Sequence, residues 1–209
     1  MSAPVPTGPV NPWQRFWTAP ASTLTNMLQY GQGDVWALPL LFAAGLLPFL
    51  APQVREAFAQ VLPAGTKVLN VALILGVVVA AMQALVWPLA LLGAARLLGG
   101  QGSLRSARLA AAWSSLPVLL SYLLAPLAAD TASVLGAVYG TFSFFLTGWT
   151  LLLLIQSLAS AQRLSFGKAL GSVLIGGALF VLALFVACIV AALVLVLLGV
   201  RPGQLPQVR

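Results

Sequence analysis

The 10 Lys and Arg and 3 Asp and Glu of this chain all fall outside five uninterrupted stretches, 35–54, 68–95, 109–129, 131–162 and 169–200, each of 20 residues or more. A helix rises about 1.5 Å per residue, so about 20 apolar residues cross a hydrocarbon core of about 30 Å. Charge-free runs of this length, repeated five times, do not suit a water-soluble domain, whose core helices are shorter and carry charged faces. The composition agrees: 61% of the 209 residues are hydrophobic and 6% are charged, against about 25% charged residues in a soluble domain. The expected fold class is an all-α integral membrane protein, a five-transmembrane-helix bundle with spans at about 35–50, 68–95, 107–127, 132–159 and 169–200.

Residues 1–34 read as a lead-in to this bundle. "MSAPVPTGPV" has neither the basic nor the apolar region of a signal peptide. In 11–30, Trp13, Phe16, Trp17, Leu24, Met27 and Leu28 recur at helical intervals. With Thr18 as a cap and Pro20 in a first turn, this segment predicts two short interfacial helices, with Trp13, Phe16 and Trp17 as anchors at headgroup depth. Residues 201–209 read as a tail beyond the last span.

The inventory narrows the chemistry. There is no histidine, one cysteine (Cys188, inside the fifth stretch), and the only acids are Asp34, Glu56 and Asp130. A Ser-His-Asp triad, a Cys-based zinc site and metal-assisted hydrolysis lack their residues. The expectation is no enzyme, no cofactor, no metal and no nucleic-acid partner.

Cations set the expected orientation. With the amino terminus inside, Arg15, Arg96, Arg105, Arg108, Arg163 and Lys168 are cytosolic, six against four, and the third-to-fourth link carries no cation. The positive-inside rule then gives a cytosolic amino terminus and an external carboxyl terminus. The loop "LLGGQGSLRSARLAAAWSSLPVLL", 97–120, has glycines to turn the chain and Ser103 as a cap. It places Arg105 and Arg108 near a positive helix end, with no acid in the loop. Lipid phosphate is the expected compensation, and Arg96, Arg105, Arg108, Arg163 and Lys168 are the candidate lipid- or partner-binding residues. The matched "SLRSA", 103–107, and "SFGKA", 165–169, hint at two copies of one hairpin.

Small and hydroxyl residues supply the second candidate set. Gly136, Gly140, Ser143, Thr147 and Thr150 on the fourth span, Ser114 and Pro117 on the third and Gln83 on the second form a helix-packing face or a polar seam.

Three stretches, "LLGGQGSLRSARLAAAWSSLPVLL", "WTLLLLIQSLASAQRLSFGKALGSVLI" (149–175) and "NPWQRFWTAPASTLTNML" (11–28), resemble the bacterial branch of the Ypt/Rab-interacting protein (YIP) family. The resemblance implies five spans, a cytosolic amino terminus and a membrane adaptor. The entry to the first span departs from the family's acidic, aromatic pattern and stands as "DVWALP", 34–39, so a Rab-type partner is not expected. Ala, Leu and Arg dominance suits a GC-rich bacterial genome, hence an inner-membrane location. The functional expectation is a scaffold for anionic lipids and an unknown protein partner, able to form homo-oligomers. A small transporter, channel or lipid-moving protein using the seam is the alternative.

Overall fold

The computed structural model describes residues 8–62, 67–128 and 133–197, and within them every regular element is a helix. Asp130 and the 201–209 tail lie outside the described residues. Two short helices, α1 (Pro12–Arg15) and α2 (Pro20–Tyr30), precede α3 (Asp34–Leu50) and α4 (Pro52–Val61). Then come α5 (Val68–Leu97), α6 (Leu104–Ser114), α7 (Leu116–Leu124), a 3₁₀ turn at Ala125–Ala128, α8 (Val134–Gln162) and α9 (Phe166–Leu197). Four units are long and apolar enough to cross a membrane: α5, α6 with α7, α8 and α9. α3 has 17 residues, and α4 leaves it at 56°. The cause of that bend is local. Ala51 precedes Pro52 and is driven to an extended conformation, ψ 137°, because the proline ring disfavours the helical one.

Proline also divides the third span. Pro117 lacks an N–H and its ring blocks the carbonyl one turn back, so α6 stops at Ser114 and α7 starts at Leu116. The N–H of Val118 is donated instead to Thr150 Oγ1 of α8, at 3.1 Å. A third-span irregularity therefore becomes a link to the neighbouring helix. Pro88 sits inside α5, which continues through it.

The bundle is held by close backbone contact. On α5, Ala72, Gly76, Ala80, Ala84 and Pro88 are buried at intervals of four, one straight ridge of small residues. α3 lies along it. A Cβ added to Gly45 would come within 2.5 Å of Ala80 Cα and 2.8 Å of its N, so the two helices meet backbone to backbone. α9 packs on α5 as well, with Trp87 against Phe180 and Gly176 against Leu91. α8 packs on α6, α7 and α2.

The lead-in is part of this core. Phe16, Leu24 and Met27 are fully buried, which corrects the anchor role expected of Phe16: its ring lies inside the protein against Trp113 and is not open to lipid. Trp13 is partly exposed and stacks edge-on with Trp36 and Trp113, and the Trp17 indole N–H is donated to Trp13 O. Asn26 accepts from Val10 N and donates to Gly8 O, tying down the extended chain before α1. Two short helices form where expected, but Ala19, not Thr18, stands at the cap of α2.

Candidate basic rim and its neighbours

The lead-in and the turns α5–α6 and α8–α9 share one end of the bundle. Ser103 caps α6 reciprocally: its Oγ accepts from Ser106 N at 3.2 Å, and Ser106 Oγ accepts from Ser103 N at 3.0 Å. Beneath this box lies Gln162, the last residue of α8 and fully buried, whose Nε2 donates to Ser106 Oγ at 3.3 Å. Gln101 N–H is donated to Gln162 O at 3.0 Å. Gly102 presses on the same corner, where a Cβ would meet Ala161 O at 2.5 Å. The two turns are thus one hydrogen-bonded platform, and Thr25 of α2 joins it through Ser160 at 3.2 Å. Replacing Ser103 by Ala removes one half of the box and should cost about 1 kcal/mol. The checking measurement is the denaturation midpoint in detergent, where an unshifted midpoint would place α6's stability elsewhere.

The five predicted cations stand around this platform, in different electrostatic circumstances. Arg105 is the one the loop sequence misrepresents. Its guanidinium holds Asp34, with Nη2 at 2.5 Å from Oδ2 and Nε at 3.0 Å from Oδ1. The acid comes from the first turn of α3, 71 residues away in sequence, so its compensation for Arg105 was invisible in the loop and lipid phosphate is not needed there. Both side chains are nearly half exposed, and such a pair contributes about 1 kcal/mol or less.

The other four have no acid partner among the described residues. Arg96 is exposed in the last turn of α5, and Arg163 ends α8 in the left-handed region at φ 55°. Both sit at negative helix ends, where a cation is favourable. Lys168 starts α9, but its Nζ reaches over Gly99, 3.9 Å from where a Cβ would be, and so meets the end of α5 too. Arg108 is half-buried, and its buried Nε has no hydrogen-bond partner among the described residues. The rim end therefore carries Arg15, Arg96, Arg105, Arg108, Arg163 and Lys168 against Asp34 alone, whereas the opposite end carries Arg55 and Lys67 against Glu56 among the described residues. Guanidinium forks and an ammonium clustered without counter-charge suit phosphate oxygens.

The small-residue set does not assemble as one face. Ser114 and Pro117 are buried at the α6–α7 break, with Ser114 Oγ donating to Ala111 O. Gln83 is half-buried on α5, where its Cβ would stand 3.1 Å from a Cβ on Gly45. On α8, Gly136 is buried, but Gly140 has open space where a Cβ would go and Thr147 is exposed, its hydroxyl returned to Ser143 O of its own helix. This corrects the packing reading of α8 except at Thr150: its contact line with α7 runs through Tyr139, whose hydroxyl donates to Ser121 O, and Thr150. That line is turned roughly 80° from Gly140 and Thr147.

Residues not singled out in the sequence carry much of this end: Asp34, Gln162, Asn26 and Trp113. In comparisons with known proteins, no protein-family model matches this chain, no curated protein matches it, and no solved structure matches it.

Proposed function

We propose that the chain is a non-enzymatic protein of a bacterial inner membrane whose basic rim faces the cytosol, holds anionic lipid headgroups and offers a scaffold to a protein partner. α3, at about 25 Å, counts as the fifth span in this reading. The resemblance to YIP-family adaptors supports the class, and the cation imbalance between the two ends supports the orientation. Exposed Trp13, Trp36 and Tyr30 at the rim end suit an aromatic belt, which places the lead-in at the interface with Phe16 turned inward.

The observation that carries the reading is the set Arg96, Arg108, Arg163 and Lys168, four cations on one platform with no acid paired to them among the described residues. Each cation near an anionic surface contributes about 1 kcal/mol. Changing Arg96, Arg108 and Lys168 together to Gln should therefore lower retention of phosphatidylglycerol about a hundredfold, read by native mass spectrometry from detergent, with an unchanged melting temperature. Undiminished retention would overturn the lipid role. Undiminished retention together with an inverted topology would reduce these residues to markers of the inside.

A further inference from the structure

At the end opposite the rim, α4 has no buried residue, although it is joined on both sides to apolar helices. Its ten residues, "PQVREAFAQV", divide cleanly at about 100° per residue. Val54, Ala57, Phe58 and Val61 fall on one arc, and Gln53, Arg55, Glu56 and Gln60 on the other. The apolar arc is only partly covered by this chain. Phe58 stacks on Phe49 of α3, centroids 6.3 Å apart and 17° between planes, while Val61 is 82% exposed.

We propose that α4 lies along the bilayer surface, with Val54, Phe58 and Val61 inserted among the lipid chains and Arg55 and Glu56 turned to water. Its position follows from its neighbours. α3 ends at Leu50 after about 25 Å of rise, most of a hydrocarbon core of about 30 Å. The chain then bends by 56° and so leaves the spanning direction at the depth where hydrocarbon gives way to headgroups. α5 resumes at Val68 beside it, with Val68 and Leu69 near Pro52, Arg55, Glu56 and Ala59. A straight continuation of α3 would lift Phe58 and Val61 about 36–40 Å from Asp34, beyond the hydrocarbon and into water, whereas the bend keeps them at its edge. A helix with a separated apolar arc, held at that depth by the spans on either side, has lipid as the occupant of its open face. None of this depends on the basic rim or on which side of the membrane it faces.

The test uses the full chain in nanodiscs of phosphatidylethanolamine and phosphatidylglycerol. Cys188 is the only cysteine, so Val61→Cys and Glu56→Cys in a Cys188→Ala background each take one nitroxide label. Both sites are exposed, so neither substitution disturbs packing. The label at 61 should collide more with oxygen than with a water-soluble nickel chelate, at a depth of about 5–10 Å below the headgroups. The label at 56 should show the reverse preference. Equal nickel access at both sites would overturn the proposal. So would dipolar broadening at 61, since that would put a second copy of the chain, not lipid, on the apolar arc. If the Cys188→Ala background does not fold, the same labels in the native background, with the Cys188 label alone as reference, give the same reading by difference.

Discussion

Gly45→Ala should destabilise the bundle by about 3 kcal/mol, the upper end of the usual range for overpacking a filled interior. The added methyl would sit 2.5 Å from Ala80 Cα and 2.8 Å from its N. Those are backbone atoms inside α5, so no side chain can rotate away and one helix must shift. The ridge of Ala72, Gly76, Ala80 and Ala84 allows that shift only by opening the whole α3–α5 contact, the broadest among the described helices. Small residues matter more in lipid than in water, because packing, not expulsion of water, holds spans together. Gly140→Leu is the matched control: its position on α8 meets open space, and it should leave the melting temperature unchanged. Thermal unfolding in detergent measures both. Equal losses at the two positions would mean that α8 has a packing partner on its glycine face, such as another copy of the chain.

Trp113→Ala should cost about 4 kcal/mol and should free the lead-in. The indole is fully buried, 4.8 Å from the Trp13 ring and 6.0 Å from the Phe16 ring. It is the surface on which α1 rests, and the structure offers Phe16 no other aromatic contact among the described residues. Limited trypsin digestion reads the effect separately from melting. The Arg15–Phe16 bond is protected while Phe16 is buried and becomes cleavable once the lead-in lifts. Trp149→Ala, at an exposed ring on α8, should change neither. Continued protection at Arg15 in Trp113→Ala would show that Asn26 and the Thr25–Ser160 contact hold the lead-in without the aromatic seat.

Apolar length and charge spacing are local properties, and for that reason the long helices were legible. α5, α8 and α9 appear within a few residues of the charge-free stretches, and α5 and α9 extend past theirs at the rim end because Arg96 and Lys168 are themselves helical. The α3–α4 bend and the α6–α7 break were less so. Proline marks such places but not their outcome: α5 continues through Pro88, whereas α6 stops before Pro117 and the Val118 N–H is received by Thr150 across the bundle. Pairings at long separation were not legible at all. Arg105 with Asp34, Gln101 with Gln162 and Trp113 with Phe16 exist only once the helices are placed. The α8 stripe misled for the same reason. Gly136, Gly140, Ser143 and Thr147 do share a face, yet α7 is too short and too far round the helix to cover it. The interfacial character read into Phe16 failed because an aromatic at helical spacing fits a core as well as a headgroup layer.

The central claim, that the platform of α5–α6 and α8–α9 turns is the lipid-headgroup surface, is met most directly by locating bound lipid on the chain. The measurement is photo-crosslinking in native membranes with a phosphatidylglycerol analogue carrying a headgroup diazirine, followed by peptide mapping. The account predicts label concentrated in 96–108 and 163–168, around Arg96, Arg108, Arg163 and Lys168. Label concentrated instead at the opposite end, around Arg55 and Lys67, or spread evenly over both ends, would contradict it.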